Sequence, residues 1–429
     1  MKQLFKRIVV SILTTESKIV LRRHKPTIVA ITGSVGKTST KDAIYAAIKD
    51  SVPARKNQKS FNSEIGVPLT ILGLQNGWSN PFVWLTNCLR GLGIALFTRT
   101  YPKVLVLETG VDQPGDMAAL AQWLSVDVMV VTRLPEVPVH VEFFVDPEAM
   151  RNEEFSLIHA LKPDGVLVYN ADDVFITNRL TEVLQRTRGF SRMLPANVHA
   201  AKDEVVYKDD MPSGIKFALQ VGDESYPVTI TGTTGLQSVY ASAAALAVAL
   251  ELEVRAQTAV SGLSAQTPPA GRMRLLKGLK SSIIIDDTYN ASPVAVEAAL
   301  ESLQELKYVK RRIAVLGDML ELGRFSAEEH RRVGEQVAKT ADILLTVGPR
   351  ARGIAEAALA HGMDESVIFQ YEKSDRAGRE LQTLLKTGDA VLVKASQSIR
   401  AEKIVKEIMA EPERAVELLV RQDTAWNPS

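Results

Sequence analysis

Residues 31–44 read ITGSVGKTSTKDAI, and this short stretch joins a predicted strand to a predicted helix. The apolar residues 28–31 before the turn have the length of a buried strand, and the helical pattern starts at Ser39. Gly33 and Gly36 free the backbone of the turn, so that its N–H groups can converge on a phosphate at the helix N-terminus. The pattern therefore predicts a phosphate-binding loop.

Two side chains of this turn have the chemistry that a nucleotide requires. Lys37 is expected to reach the terminal phosphates, and the Thr38 hydroxyl is expected to bind Mg2+. The common nucleotide-binding loop has a longer spacer before its Gly-Lys pair, whereas this chain has only Ser34 and Val35 after the first glycine. A chance glycine-lysine turn is the alternative. We predict that ATP phosphates are bound by consecutive residues: Gly33, Ser34, Val35, Gly36, Lys37, Thr38 and Ser39.

The composition limits the class of protein. With 429 residues, the chain is long enough for two or three domains. Its 51 Lys and Arg residues are balanced by 50 Asp and Glu residues, so we expect no nucleic-acid partner. Cys88 is the only cysteine, which excludes an internal disulfide and fits a reducing compartment. We therefore expect a cytoplasmic protein.

The N-terminal residues are rich in both basic and apolar side chains. Residues 8–13 form only a short apolar run without a small-residue cleavage site after it, so no signal peptide is predicted. Residues 82–97 are apolar but contain Arg90 and are too short to span a bilayer. Residues 1–26 are predicted as a basic amphipathic helix. Docking of this helix on the protein's own body is favoured over weak contact with a membrane surface.

Short runs rich in Val, Ile and Leu alternate with longer helical patterns along most of the chain. Strands without polar alternation, separated by helices, are typical of parallel sheets that are buried on both faces. An alternating pattern in residues 200–231 instead predicts an antiparallel insertion or sheet edge. The predicted buried strands are residues 28–31, 104–107, 126–132, 166–169, 282–285, 313–316, 343–347 and 390–393.

A loop rich in small residues, 264–271, marks the predicted main domain boundary. We therefore expect an α/β protein with a basic helix in residues 1–26. A central ATP-binding domain with a parallel sheet of the phosphate-loop type is expected in residues 27–266. A second α/β domain is expected in residues 267–429.

Acidic side chains follow the strand at residues 104–107. In open α/β sheets, ligands bind beyond the carboxyl ends of the strands, and Glu108 lies at such an end. We predict that Glu108 holds, directly or through water, the Mg2+ that also contacts Thr38. A solvated loop acid is the alternative. Asp112 and Asp116 share this loop and are expected to be structural.

Polar residues close several other predicted strands. His140 follows the strand at residues 126–132, where a neutral imidazole can bind a metal or orient a carboxylate, although a packed histidine is the alternative. Asn290 is predicted to bond to a base edge, with Tyr289 packing nearby. Asp318 follows another strand. Because such clusters occur in both predicted domains, we expect a cleft between the two domains.

Several motifs together resemble one family. TGSVGKTST with its shortened loop, NSEIGVPLTIL, LETGVDQPGDM, HVEFF, GRMRLL, DDTYNASP, LGDMLELG and KASQSIRAEKIV are similar to those of the Mur ligase family, from about Lys25 to Leu419. Within the family, they resemble the branch that joins D-alanyl-D-alanine to a UDP-N-acetylmuramoyl tripeptide. The resemblance implies a phosphate-loop ATPase domain followed by a Rossmann-like α/β domain. It also implies peptidoglycan precursor synthesis as the context.

The resemblance also implies a reaction. ATP phosphorylates a carboxylate of a small-molecule acceptor, and an amino acid or dipeptide amine attacks the acyl phosphate, so that an amide, ADP and phosphate are formed. Catalysis of this kind depends on positioning and charge neutralisation. The implied roles are Lys37 on the ATP phosphates, Thr38 and Glu108 on a first Mg2+, His140 on a second Mg2+, Arg272 on the terminal phosphate, Asn290 on the base, Asp318 on the nucleotide, and Lys394 and Ser396 near the incoming amine.

Three features depart from the family pattern. The family normally begins with a domain that binds the UDP sugar, whereas the phosphate loop here begins only 32 residues into the chain. We therefore expect a different or shorter acceptor, or one that a partner protein or a lipid presents. Glu154 stands where the family has a carbamylated lysine, and we expect it either to supply the same negative charge near the second Mg2+ or to mark a weakened metal site. The usual His-Asn-x-x-Asn helix start reads Gln237 to Ala241.

These observations favour an ATP- and Mg2+-dependent carboxylate–amine ligase. One alternative is a ligase of the same superfamily with another acceptor, such as a glutamyl chain. The other alternative is a nucleotide-binding regulatory subunit without ligase activity, which would fit Glu154 and Ala241. ADP formation that requires both an acid and an amine distinguishes the ligases from the regulatory subunit.

Overall fold

A nine-stranded sheet organises the first part of the protein. The computed structural model describes residues 2–57, 64–78, 80–422 and 426. The strands are β1 (Thr27–Thr32), β2 (Ala54–Lys56), β3 (Val104–Glu108), β4 (Val126–Val131), β5 (Leu161–Asn170), β6 (Arg186–Ser191), β7 (Val198–Lys208), β8 (Met211–Val221) and β9 (Glu224–Thr231). Their order across the sheet is β2-β3-β1-β4-β5-β6-β7-β8-β9.

The register of the parallel strands brings the predicted site loops together. β1 lies between β3 and β4, with Ile31 opposite Glu108 and Thr32 opposite Val131. The loops that follow these three strands therefore leave the same edge of the sheet, as the open-sheet rule requires. β7, β8 and β9 pair in antiparallel fashion, which confirms the antiparallel extension predicted for residues 200–231.

A six-stranded sheet organises the second part. Its strands are β10 (Arg274–Lys277), β11 (Ile283–Asp287), β12 (Arg311–Gly317), β13 (Ile343–Val347), β14 (Ile368–Tyr371) and β15 (Asp389–Lys394). Their order is β10-β11-β15-β12-β13-β14, and only the β10 edge strand is antiparallel to its neighbour. The predicted α/β class with two largely parallel sheets is confirmed.

Helices cover both faces of each sheet. They are α1 (Lys2–His24), α2 (Lys37–Ile48), α3 (Gly66–Leu72), α4 (Pro81–Phe97), α5 (Asp116–Ala121), α6 (Pro147–Phe155), α7 (Val174–Thr177), α8 (Leu236–Glu251), α9 (Ala256–Ser264), α10 (Pro293–Gln304), α11 (Ser326–Thr340), α12 (Arg352–Ala360), α13 (Ser374–Leu384), α14 (Glu402–Ile408) and α15 (Ala415–Leu418). On the first sheet, α2, α8 and α9 share one core, whereas α1, α3, α4, α5 and α6 contribute to the core on the opposite face.

The N-terminal helix docks on the protein, as favoured from its sequence. Val9, Leu13 and Val20 of α1 are buried in the core that also contains α3 and α4. Among the helices that the structure describes, none is both long and apolar enough to cross a membrane.

Several local details differ from the sequence prediction, among them the start of α2 and the strand β6. The helix after the phosphate loop begins at Lys37 rather than at Ser39, because Gly36 adopts a left-handed conformation (φ 88°) that directs the chain straight into the helix. β6 escaped notice because its sequence, RTRGFS, is polar in its first half, which remains partly exposed. Apolar periodicity is weak in such a strand.

Candidate active site

The phosphate loop connects β1 to α2 in a conformation that only glycine tolerates at its start. Gly33 has φ 120°, and a Cβ atom there would lie 2.4 Å from Thr132 Oγ1. The Lys37 ammonium donates a hydrogen bond to the Gly33 carbonyl, so the lysine folds back over its own loop. α2 has no acidic residue in its first turn, and its N-terminal end therefore keeps its positive character.

A threonine and a buried glutamate form the next part of the site. The Thr38 hydroxyl donates to Glu108 Oε1 over 3.1 Å. Glu108 Oε2 is buried and accepts no hydrogen bond from the described residues, although the ammonium of Lys41 lies 3.4 Å away. Two adjacent oxygen ligands with an unsatisfied carboxylate oxygen suit a hard divalent cation such as Mg2+.

Other protein ligands for a metal are few. Within the described ranges, no three His, Cys, Asp or Glu side chains form a metal-binding cluster. Mg2+ commonly binds through one or two carboxylates together with the phosphates of a substrate. Thr38 and Glu108 fit that mode, in which the nucleotide completes the coordination sphere.

Glu154 lies beside the phosphate loop. Its Oε2 accepts a hydrogen bond from Ser34 Oγ over 2.8 Å, and its backbone carbonyl accepts one from Thr32 Oγ1 over 3.2 Å. Burial raises the pKa of this carboxyl from 4.5 to about 6, against the opposing effect of the nearby Lys37 charge. Glu154 is therefore held against the predicted phosphate loop by a hydrogen bond, with its pKa raised towards neutral pH.

His140 joins the two parts of the molecule. It has a left-handed backbone conformation (φ 68°), its Nδ1 lies 2.9 Å from Glu321 Oε2, and its Nε2 lies 3.9 Å from Asp112 Oδ1. The contact with His140 holds the pKa of Glu321 below its usual value. A histidine between two carboxylates can orient them or share a cation with them. Asp116, in the same loop as Asp112, accepts hydrogen bonds from the backbone amides of residues 112 and 113.

Arg272 projects from the segment that enters the second sheet. Its Nη2 donates to Thr38 Oγ1 over 3.2 Å, and its guanidinium lies over the ring of Tyr289, 4.0 Å from the centroid. Asp286 accepts from the Gly271 amide and Asp287 accepts from the Met273 amide, so both acids hold the backbone on either side of Arg272. Arg272 Nε is buried without a hydrogen-bond partner in the described part of the chain, which leaves a donor for an anion.

The remaining predicted residues belong to the second sheet. Lys394 is buried, and its ammonium donates to Asp287 Oδ2 over 2.5 Å and to the Asn290 carbonyl over 2.9 Å. Ser396 Oγ accepts from the Leu320 amide. Asp318 is also buried, and its carboxylate accepts from the Ala351 amide over 2.8 Å.

One cavity of about 560 Å³ brings most of these residues together. It is lined from both sheets and is therefore a cleft between them. Gly33 and Asp318 are outside the lining, and the role of Asp318 stays a prediction. The predicted residues that line the cavity are Ser34, Val35, Gly36, Lys37, Thr38, Ser39, Glu108, His140, Glu154, Arg272, Asn290, Lys394 and Ser396.

Lys41 and Glu321 are among the residues that were missed at the sequence level. Lys41 lies four residues after Lys37 in α2, and residues with this spacing share one face of a helix. The position of Lys41 near the site could therefore have been predicted from the sequence. Glu321 approaches His140 from a distant part of the chain, and nothing in its local sequence indicates that contact.

Comparisons with known families agree with this geometry. The Mur ligase middle domain matches residues 89–249, and the Mur ligase, glutamate ligase domain matches residues 271–397. The two matched ranges belong to the first and the second sheet regions, respectively.

Individual relatives extend the similarity over nearly the whole chain. The UDP-N-acetylmuramoyl-tripeptide--D-alanyl-D-alanine ligase of Bacillus subtilis is 28% identical over 397 residues, which cover 92% of this chain and 79% of that protein. The ligase of the same name from Mycobacterium tuberculosis is 29% identical, with 90% and 73% covered.

Solved structures show the same fold. The crystal structure of MurF ligase from Thermotoga maritima in complex with ADP has a TM-score of 0.76 and 24% identity, covering 94% of this chain and 84% of that one. MurF from Acinetobacter baumannii gives a TM-score of 0.75 and 23% identity, covering 92% and 79%.

Proposed function

Because the chain belongs to the Mur ligase family, we propose that it is an ATP-dependent, ADP-forming ligase that joins D-alanyl-D-alanine to a UDP-N-acetylmuramoyl-tripeptide type of acceptor. One observation carries the proposal. The phosphate loop of the first sheet and cationic side chains from later parts of the chain line the same cavity. Lys37 and Arg272 are the central members of this arrangement.

The first step is transfer of the γ-phosphoryl group of ATP. The N-terminal amides of α2 and the Lys37 ammonium bind the phosphates, and the free Nε of Arg272 donates to the terminal phosphate. An oxygen of the acceptor carboxylate attacks the γ-phosphorus while the bond to the β-phosphate oxygen breaks. ADP leaves, and an acyl phosphate remains. The cationic side chains neutralise the charge that develops during this transfer.

The second step is formation of the amide. The amine nitrogen of the dipeptide attacks the acyl carbon, the nitrogen loses a proton to solvent, and the bond to the phosphate oxygen breaks to release inorganic phosphate. We place the incoming amine near Lys394 and Ser396 and the nucleotide base near Asn290. Because these residues belong to the second sheet, closure of the cleft aligns the amine with the acyl phosphate.

Mg2+ is the proposed cofactor. When bound, it neutralises phosphate charge and polarises the transferred group, and we propose Thr38 and Glu108 as ligands of a first ion and His140 as a ligand of a second. Glu154 is proposed to supply, directly or through water, the negative charge near the second ion. Its buried position beside Ser34 supports this role, since a carboxylate there faces the phosphate end of the cavity.

The proposed domains are an N-terminal helix in residues 1–26, an ATP-binding domain in residues 27–266 and a second domain in residues 267–429. A hinge in the loop at residues 264–271 would then allow the cleft to open and close. We also propose a cytoplasmic location, which fits a single cysteine. Presentation of the acceptor by a partner protein stays a prediction.

Phosphate release is the direct test. The protein is incubated with MgATP, a UDP-N-acetylmuramoyl tripeptide and D-alanyl-D-alanine, with each substrate omitted in turn and with Lys37→Ala as the blank. We expect phosphate release only when acid and amine are both present, together with a product that is heavier by one dipeptide. Phosphate release that occurs only with a different acid or a different amine would point to a related ligase. ATP binding without turnover, whatever the substrates, would overturn the proposal in favour of a regulatory subunit.

A further inference from the structure

Two neighbouring helices on the first sheet expose rows of large apolar side chains. On α1, Phe5, Ile8 and Ile12 are exposed, and on α4, Leu85, Leu89 and Leu92 are exposed, with Leu89 64% accessible. The three-residue and four-residue spacing places each row on one side of its helix. Other apolar side chains of the same helices are buried in the core. The exposed rows are therefore not needed to attach the helices to the protein.

The two helices that carry these rows, α1 and α4, meet along a seam. Arg23 of α1 donates to the carbonyls of Ala95 and Leu96 of α4, over 3.0 and 2.5 Å. Gly91 of α4 lies so close to Glu16 that a Cβ atom would be 2.0 Å from Glu16 Oε2. The helices are therefore in direct contact along this line.

The periodicity of each helix then fixes where the apolar rows lie. Phe5 and Ile12 fall on the same side of α1 as Glu16 and Arg23, because these positions are separated by one or two complete turns. Each residue of a helix turns it by about 100°, so Leu85, Leu89 and Leu92 lie on the outward side of α4, away from Gly91 and the line of contact. Because the two helices are in contact, we call the exposed side of this helix pair, with both apolar rows, the α1–α4 face.

The charges around the α1–α4 face are of one sign. α4 contains no Asp or Glu, and the one acid of α1, Glu16, is buried in the seam. Arg7, Arg22 and Arg90 are exposed on these two helices, whereas the whole chain has a net charge of only +1. Lys6 is partly neutralised by Glu64 at 2.7 Å. The positive charge is therefore concentrated locally on the two helices that expose apolar rows.

A basic cavity of about 450 Å³ borders the C-terminal part of α1. Lys18, Arg22 and Lys25 line it together with Trp123, and no carboxylate belongs to its lining. A tryptophan among cations is typical of a protein surface that meets lipid headgroups, because the ring is amphipathic and the cations bind phosphate.

We propose that the α1–α4 face docks flat on the surface of a lipid bilayer that contains anionic lipids. The apolar rows enter the headgroup–acyl boundary, and the surrounding arginines contact the headgroup phosphates. A second copy of the chain suits this surface less well, because self-docking would bring the same arginines towards one another without compensating acids. This inference does not depend on the proposed reaction, since none of the residues involved lines the catalytic cavity.

Vesicle co-sedimentation tests the proposal on the full chain. Vesicles of phosphatidylcholine alone are compared with vesicles that contain about 30 mol% phosphatidylglycerol. We expect binding to the anionic vesicles, weakening as salt is raised from about 0.1 M to about 1 M because the Debye length falls from about 10 Å to about 3 Å. The double variant Leu85→Ser/Leu89→Ser should lower the partition coefficient by at least about tenfold, because the apolar contacts are lost.

The matched control is Leu184→Ser/Val416→Ser, which removes two exposed apolar side chains elsewhere, with Leu184 97% accessible. This variant should bind vesicles like the unaltered chain, and both variants should keep its thermal unfolding midpoint. Equal vesicle binding by all three proteins would overturn the proposal, as would no binding to anionic vesicles. Size-exclusion chromatography that shows a dimer which only Leu85→Ser/Leu89→Ser dissociates, without vesicle binding, would assign the face to a second copy instead.

Discussion

Arg272 Nη2 donates a hydrogen bond of 3.2 Å to Thr38 Oγ1, although 234 residues separate them in the chain. This contact connects the start of the first helix after the phosphate loop with the segment that enters the second sheet. The same arginine keeps a buried Nε donor without a partner among the described residues. The candidate site is therefore built from both sheets.

Lys37→Ala should abolish most of the ligase activity. The ammonium is the proposed cationic partner of the ATP phosphates, and its loss would leave their charge poorly compensated, so we expect kcat to fall by about 100-fold or more. Lys49→Ala, at the exposed end of the same helix, is the matched control. Steady-state phosphate release measures both variants, and Lys37→Ala activity within a few-fold of the unaltered chain would contradict the assignment.

Arg272→Lys should lower activity even though it conserves the charge. Lysine has no planar guanidinium, so it cannot donate to Thr38 and at the same time stack over Tyr289. The donor directed at the phosphate therefore loses its orientation. We expect kcat/KM for ATP to fall by about tenfold to 100-fold. Thermal unfolding with and without ADP separates this loss from a folding defect. A lysine variant with unaltered kinetics would show that the charge alone suffices.

Glu108→Gln should weaken the response to Mg2+. The substitution keeps the hydrogen bond from Thr38 but removes the negative charge beside Lys41. We expect the Mg2+ concentration for half-maximal turnover to rise by at least about tenfold, and chelation of the metal with EDTA should stop the unaltered protein. A titration of activity with Mg2+ gives the result. Identical titrations for both proteins would remove Glu108 from the proposed ligand set.

Glu154→Gln tests whether the negative charge of this buried carboxylate is required for turnover. Because burial raises the pKa of Glu154 to about 6, its negative charge appears as pH rises through that value. We expect turnover of the unaltered protein to increase between about pH 5 and pH 7, and Glu154→Gln to lose both the activity and this rise. Glu182→Gln, an exposed acid, is the control. Undiminished turnover in Glu154→Gln would exclude a required charge.

Glu16→Gln should change the pH dependence of stability. Burial in the α1–α4 seam raises the Glu16 pKa from 4.5 to about 7, so the folded protein binds this proton more tightly than the unfolded chain. The stabilisation from the protonated carboxyl is complete below pH 4.5 and is lost as pH rises to about 7. Thermal unfolding midpoints should therefore fall across this range for the unaltered protein and less steeply for Glu16→Gln. Parallel pH profiles would contradict a buried, unpaired carboxyl.

Much of the fold was predictable because its signals are local. The run before Gly33 has a strand's length, and the strand at residues 343–347 was identified at both ends. Short continuous apolar runs between helices allow few architectures other than buried parallel sheets. β6 was missed because its first half is exposed or only partly buried, and residues at such positions can be polar. The strand therefore lacks the continuous apolar run that marks the others.

The sequence by itself determined the α/β class, the phosphate loop and thirteen of the residues that line the cavity. These features depend on residue type and on spacing within one strand–turn–helix unit, where backbone geometry is set by neighbouring residues. Only the tertiary structure decided that Glu321 meets His140, that Asp318 bonds to the Ala351 amide, and that α1 packs against α4. Such contacts join segments that are distant in the chain, and they arise when whole sheets and helices pack, so no local pattern specifies them.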